Sequence, residues 1–289
     1  MKVRDTYKGQ GLVFMVACPR SGTSWLQRML AASSPLIKTG PETFLFKNYI
    51  GPQLDTWDIA KEKDMTNLHN YMTRKEFISK LKSYTIDLLK PIIDNIKANE
   101  IFIEKTNSHA LFLPLIREMF PESKIINVIR DPRDVVASWL AASRTWAKGG
   151  PPKSAKEFAI FWKNCILTTE KIKKETDKNY FFELRYEDLL NNTFSTLVNV
   201  LRFLKISVDE GHLRKVISDH GIENMKRGKK YYRITLKGEV GGVKGIIWDE
   251  PEGFFRKGKI GSWKNDLDFW EKYQVGKITG KLMRKLNYS

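Results

Sequence analysis

Three segments of the chain combine small residues with fixed positive charge, the chemistry that holds phosphate-like or sulfate-like anions. The first, Cys18-Pro-Arg-Ser-Gly-Thr-Ser-Trp25, lies between an apolar strand-like run at residues 11–18 and a helical pattern at 25–32. Backbone N–H groups at a helix start point outward and attract an anion. Gly22 permits close backbone approach. Ser21, Thr23 and Ser24 offer hydroxyl donors, and Arg20 adds a charge that neutral pH cannot remove. The segment is not the GxxxxGK(S/T) loop of ATPases and GTPases, because it lacks both the first glycine and the lysine. A capped helix without a ligand is the competing reading. The second segment, residues 127–139 (NVIRDPRDVVASW), again ends a strand and opens a helix, with Pro132 suited to the first turn. Arg130 leaves that strand at its carboxyl end, where open α/β sheets bind ligands. Ser138 lies further along the helix, while Arg133 and Asp134 suit ion pairs that cap the turn. The third, residues 255–265 (FRKGKIGSWKN), reads as a mobile basic loop or a solvated charge run.

The elements that must position these segments follow from the apolar pattern. Runs at 11–18, 101–104, 124–129 and 180–184 are almost continuously apolar, as strands covered on both faces are. Helical patterns at 74–97, 111–120, 132–146 and 154–175 alternate with them. The alternation predicts an α/β fold: a mainly parallel central sheet flanked by helices, in a single domain over residues 1–289. Further helices are expected at 193–204 and 210–220, then an irregular basic segment at 226–259. A last helix at 267–286 carries Leu267, Trp270, Ile278 and Leu282 near one face. The GGPPK stretch at 149–153 joins two helices of the same domain.

Composition bounds the partners. The chain has 50 Lys and Arg against 33 Asp and Glu in 289 residues, a net +17. Such a field favours anions but does not choose among nucleotides, sulfated substrates, nucleic acid and acidic membranes. Cys18 and Cys165, the two cysteines, make no disulfide framework. Cys18 ends an apolar run and reads as a buried thiol in a reducing compartment. No apolar run reaches the ~18 residues of a membrane span, and the N-terminus lacks an apolar signal core. The expectation is a soluble, cytoplasmic protein.

The motifs bear a family resemblance. PRSGTSW resembles the 5′-phosphosulfate loop of sulfotransferases, and VIRDPRDVVASW resembles their 3′-phosphate motif. RKGKIGSWKN resembles the RKGxxGDWKN segment of the cytosolic branch, and RYEDLL at residues 185–190 resembles the family's YEDL strand end. The four occur in the family's order between Pro19 and Asn265. The resemblance implies a P-loop-NTPase-like sulfotransferase fold and the donor 3′-phosphoadenosine 5′-phosphosulfate (PAPS). It further implies the product adenosine 3′,5′-bisphosphate (PAP), in-line transfer to a hydroxyl or amine, and no metal. Carried over residue by residue, Arg20, Ser21, Gly22, Thr23 and Ser24 would hold the 5′-phosphosulfate. Trp25 would stack on adenine, with Tyr186 near the base. Arg130 and Ser138 would bind the 3′-phosphate, and Arg256, Lys257 and Gly258 would close over it.

An acceptor hydroxyl that attacks sulfur must lose its proton to a base within hydrogen-bond reach. Arg20 and Lys105 are the candidates for stabilising the developing charge. Cytosolic enzymes draw their base from a Lys-Thr-His run. The corresponding stretch here is Lys105-Thr-Asn-Ser-His109; it puts Asn107 in the histidine's place and His109 two positions late. A second branch (tyrosylprotein, and many carbohydrate and bacterial sulfotransferases) pairs PRSGT with a downstream glutamate, and Glu42 in KTGPETF resembles it. Glu42 is therefore the expected base, His109 the alternative and Glu104 a weaker rival.

The acceptor is expected to be a hydroxyl-bearing small molecule, glycan, lipid or peptide. Its pocket is expected from residues 44–57, the surroundings of Trp146, and residues 231–255. These hold Phe44, Phe46, Tyr49, Trp57, Tyr231, Tyr232 and Trp248. The KRGKKYYR run at 226–233 suits an anionic acceptor or a solvated loop. Two other functions compete. One is a non-catalytic module for polyanions such as RNA or sulfated glycans, although no nucleic-acid partner is expected. The other is an ATP-dependent kinase, which the missing Walker lysine disfavours.

Overall fold

Residues on the first strand, β1 (Leu12–Ala17), alternate between two hydrophobic clusters. Leu12, Phe14 and Val16 join one, and Val13, Met15 and Ala17 join the other, because successive side chains of a strand leave on opposite faces. The computed structural model describes residues 6–147, 152–226, 233–234, 246–247, 251 and 253–288. In chain order the elements after β1 are α1 (Thr23–Ser33), β2 (Ile37–Thr39), α2 (Gly51–Glu62), α3 (Arg74–Ile93) and β3 (Ile101–Lys105). Then come α4 (Leu113–Met119), β4 (Lys124–Ile129), α5 (Pro132–Ser143), α6 (Ala155–Glu175), β5 (Phe181–Arg185) and α7 (Tyr186–Asn191). The rest are α8 (Thr193–Leu204), α9 (Glu210–Asp219), α10 (Ile222–Lys226), β6 (Arg233–Ile234), β7 (Ile246–Ile247), α11 (Trp263–Asp266) and α12 (Phe269–Lys285).

Strands β1 to β5 form one parallel sheet in the order β2-β3-β1-β4-β5. The chain lays β2 and β3 on one side of β1, then β4 and β5 on the other. All five carboxyl ends therefore face the same way, and a crevice forms where the order reverses. Apolar residues of α3, α4, α5, α6 and α12 cover one face, and those of α1, α8 and α9 cover the other. Helix starts are fixed by local chemistry. The Thr73 and Asp268 side chains close capping boxes with Glu76 and Glu271, and Ser154 caps α6. No described helix is long and apolar enough to cross a membrane.

The α/β alternation expected from sequence is present, with four differences. β2 was not expected; three residues (IKT) are too few to show a period. Residues 46–50 form a π-helical turn that runs into α2, where no regular structure was expected. Tyr186 opens a helix directly after β5 instead of extending it. Trp270, expected beside Leu267, Ile278 and Leu282, is 67% exposed. Nine positions separate it from buried Thr279, about two and a half turns, so it faces the opposite way. The GGPPK breaker and the KRGKKYYR run lie largely outside the described residues. Cys18 and Cys165 are free and buried. Burial, then the neighbouring Cys165, pushes the Cys18 thiol well up, which leaves it protonated and unreactive.

Candidate active site

The segments that follow the five strand ends converge on a cavity of about 560 Å³. Of the donor-binding and catalytic candidates assigned from sequence, all but Ser21, Glu104 and His109 line it. Its two halves have different chemistry.

One half is built for anions. Gly22 is the N-cap of α1 at φ 93, and a Cβ there would come within 2.4 Å of the Tyr186 ring. Only glycine supplies both that backbone and that clearance. Ser21 Oγ donates to the Cys18 carbonyl at 2.7 Å, so this hydroxyl shapes the loop from inside and does not face the cavity. Arg130 is 7% exposed. Its guanidinium lies over the Tyr186 ring at 4.1 Å and donates to the carbonyls of Arg20 and Lys259, each at 3.1 Å. Its Nε is buried without a partner, and no carboxylate among the described residues pairs with it. A buried cation whose contacts are two neutral carbonyls and a ring face has no counter-charge among the described residues, and an anion fits there. Burial pushes the Tyr186 phenol up, against the pull of Arg130, so it stays a neutral ring. Trp25 Nε1 donates to the His220 carbonyl at 2.8 Å, and the indole meets Tyr186 edge-on at 6.2 Å.

Arg20 adopts φ 75, a left-handed backbone that is rare outside glycine. Its Nε donates to Ser138 Oγ at 3.2 Å and one Nη to the Phe254 carbonyl at 2.6 Å. The guanidinium also contacts the rings of Trp146, at 5.3 Å, and Phe254, at 4.7 Å. The segment after Phe254 is tied down by Asp134. This carboxylate accepts from Gly261 N–H at 2.7 Å, Ser262 Oγ at 3.1 Å and Trp263 N–H at 2.9 Å. Asp134 thus anchors the closing segment instead of pairing with a cation to cap α5; Arg133 pairs with Asp131. Arg256 and Lys257 both hold Asp266, at 2.8 and 2.5 Å. Burial pushes the Asp266 carboxyl up, but the two cations outweigh it and hold the group below the usual range. Gly258, at φ 62, packs so closely on Ile222 that a Cβ would lie 2.4 Å from that side chain.

The other half holds a carboxylate and a lysine. Lys105 Nζ donates to Glu42 Oε1 at 2.8 Å and to Ser24 Oγ at 3.2 Å. Asn107 Nδ2 donates to the same Glu42 oxygen at 3.0 Å, and Thr23 Oγ1 donates to Asn107 Oδ1 at 2.6 Å. Glu42 Oε2 has no partner among the described residues. His109, the alternative base, is not at the cavity: it is 0% exposed. Its Nδ1 faces Glu104 Oε2 at 2.9 Å, while Nε2 lies 3.1 Å from the Phe46 amide. An amide only donates, so Nε2 accepts and the proton sits on Nδ1. Glu104 is buried as well and also accepts from the hydroxyls of Thr106 and Thr43. The Glu104–His109 pair therefore fixes the segment next to Glu42.

Burial alone would push the Glu104 carboxyl up, but the His109 contact and the Thr106 and Thr43 hydroxyls hold it below the usual range. A depressed carboxylate adds stability above its unfolded value of about 4.3 and loses it as pH falls through the folded value. The melting temperature, followed by circular dichroism, is expected to fall steeply below about pH 4.3, and Glu104→Gln is expected to flatten that fall. An unchanged slope in the variant would remove Glu104 from the account.

Of the aromatics expected around the acceptor, Phe44 lines the cavity and Trp146 does too. Phe46 is core, Trp57 is buried and stacked on Phe77, and Tyr49 is exposed away from the cavity. Tyr231, Tyr232 and Trp248 lie outside the described residues. Phe254, within the expected 231–255 stretch, lines the same wall, and so do Trp139, Phe158 and Phe161, which sequence reasoning missed. Those on α5 and α6 follow helical periodicity and looked like ordinary core.

The chain is similar to known proteins. A putative protein-tyrosine sulfotransferase of Caenorhabditis briggsae is 29% identical over 132 residues, 45% of this chain and 42% of that protein. Luciferin sulfotransferase of Photinus pyralis is 22% identical over 267 residues, 88% of this chain and 67% of that protein. The chain thus spans about half to two thirds of the length of these two relatives, 42% and 67%. The crystal structure of a mouse sulfotransferase complexed with PAP has the same fold, with a TM-score of 0.60 at 17% identity over 97% of this chain and 87% of that one. The family model for the sulfotransferase domain matches residues 10–287, a span that takes in every strand end at the cavity and the closing segment, and the chain belongs to that family.

Proposed function

We propose that this chain transfers a sulfuryl group from PAPS to the hydroxyl of an apolar, ring-bearing acceptor, with Glu42 as general base. The observation that carries the reading is the placement of Lys105, between Ser24 of the anion-binding loop at 3.2 Å and Glu42 at 2.8 Å. It sets a carboxylate beside the loop that would hold a phosphosulfate. When bound, PAPS supplies an activated sulfuryl group on a phosphate leaving group. Gly22, Thr23, Ser24 and the start of α1 hold its 5′ end, with Arg20 and Lys105 as cations against the charge that develops. Trp25 and Tyr186 flank the adenine. Arg130 and Ser138 hold the 3′-phosphate, and Arg256, Lys257 and Gly258 close over it. Both bonds to Glu42 fall on Oε1, so Oε2 is the oxygen that takes the acceptor's proton.

The aromatic wall supports the acceptor class. Phe44, Trp139, Trp146, Phe158, Phe161 and Phe254 offer flat apolar surface and few hydrogen-bond partners. Two relatives named for protein tyrosine and for luciferin point the same way. The test has two arms. Calorimetry with PAP is expected to give a Kd on the order of 10 μM or tighter. An acceptor screen with sulfur-labelled donor is expected to label phenols ahead of sugars. Absence of PAP binding at that concentration would overturn the donor assignment, and preferential labelling of sugars would overturn the acceptor class.

A further inference from the structure

Asn107 stands where a histidine would serve as base in the cytosolic branch, and an amide cannot take a proton at neutral pH. Its contacts assign it another task. The Glu42 carboxylate can only accept, so the Asn107 atom 3.0 Å away must be the amide nitrogen. The amide oxygen then faces Thr23 at 2.6 Å, and the Thr23 hydroxyl must donate to it. Both ends of the amide are thus fixed in direction. Thr23 and Ser24 are consecutive on α1, and Lys105 and Asn107 flank Thr106 at the end of β3. The four form a closed circuit around one oxygen, Glu42 Oε1.

We propose that Asn107 is a positioning residue for the base: it pins Glu42 Oε1 to the anion-binding loop and thereby turns Oε2 to the acceptor. The inference rests on the reading of Glu42 as base. Lys105 alone would hold the carboxylate by one flexible side chain, free to pivot about that contact. The second donor, on the short planar amide of a residue already tied to Thr23, removes the pivot. A carboxylate held in one orientation reacts from its productive geometry without reorganisation.

The test is a mutant cycle on the full chain with Asn107→Ala, Glu42→Gln and the double variant. Losing one hydrogen bond to a charged group corresponds to about a 10- to 100-fold loss. Asn107→Ala is expected to lower kcat by that factor, while acceptor KM and PAP Kd stay within about 3-fold. Added to Glu42→Gln, the same change is expected to cost less than about 3-fold, because Asn107 then has no base to orient. Asn107→Asp keeps the side chain's size and its bond from Thr23, but it sets a second carboxylate against Glu42. It is expected to lower kcat as well and serves if the alanine variant does not fold. Undiminished kcat in Asn107→Ala, or losses that multiply in the double variant, would overturn the positioning role and leave the base reading standing. Undiminished kcat in Glu42→Gln would overturn the base reading, and this inference with it.

Discussion

Glu42→Gln lowers kcat by about 10²- to 10⁴-fold and leaves PAP binding within a few-fold of the parent protein. The substitution is close to isosteric, and the contacts dictate how the amide sits. Lys105 Nζ and Asn107 Nδ2 both need an acceptor, so the glutamine oxygen takes the place of Oε1. The amide nitrogen then occupies the position of Oε2 and presents protons where a lone pair is required. Geometry and volume survive while basicity is lost, so the loss belongs in kcat and not in KM. His109→Ala serves as the contrast. His109 is buried between Glu104 and the Phe46 amide, so its removal destabilises the fold without touching a cavity wall. A Glu42→Gln enzyme with near-normal kcat, beside a folded His109→Ala enzyme without activity, would reverse the assignment.

Arg130→Met weakens PAP binding by about 100-fold, with a much smaller effect on adenosine 5′-monophosphate. The guanidinium is the buried cation of the anion half, and its described hydrogen bonds go to two main-chain carbonyls. Neutral partners leave its charge available, and a phosphate adds the charge-assisted bonds that carbonyls cannot. Because Arg130 is assigned to the 3′-phosphate, a nucleotide without that group loses little. Methionine keeps the length and apolar stem over Tyr186, so the fold is expected to persist in a thermal melt. Calorimetry with the two nucleotides measures the contrast. Equal weakening of both would move Arg130 from the 3′-phosphate to the 5′ end.

Much of this site was legible in the sequence, because strand ends and helix starts carry local signals. The small-residue loop at 18–25 and the Arg130 turn announced themselves by residue type, and both line the cavity. The losses have specific causes. Ser21 has the right side chain for an anion, but the turn aims its hydroxyl at Cys18. His109 has the right chemistry, but the 3-10 turn at residues 107–112 carries it into the core. Asn107 drew attention only as a missing histidine, since its value depends on Thr23 and Glu42, 84 and 65 positions away. Asp134 read as an ion-pair partner capping its turn and Asp266 drew no reading, because their partners in the closing segment come together only in the folded chain. Trp270 was misplaced because its position, about two and a half turns from Thr279, falls on the face opposite the buried stripe of Val275, Thr279 and Met283. Local grammar shows what a residue offers, and tertiary contact decides where the offer is directed.

The Asp134 anchor has a consequence for the chain as it leaves the ribosome. The pair Glu42 and Lys105 is translated early, and the last strand of the sheet ends at Arg185. Asp134 is buried in the finished protein, and its three donors come from residues 261–263. Until those residues emerge, the carboxylate has not met its partners, and α12, which covers one face of the sheet, is still to come. The cations that close the cavity, Arg256 and Lys257, arrive in the same late stretch. The order of synthesis therefore delivers the carboxylate and lysine of one half of the cavity long before the cations of the closing segment, and the Asp134 contact joins an early part of the chain to a late one.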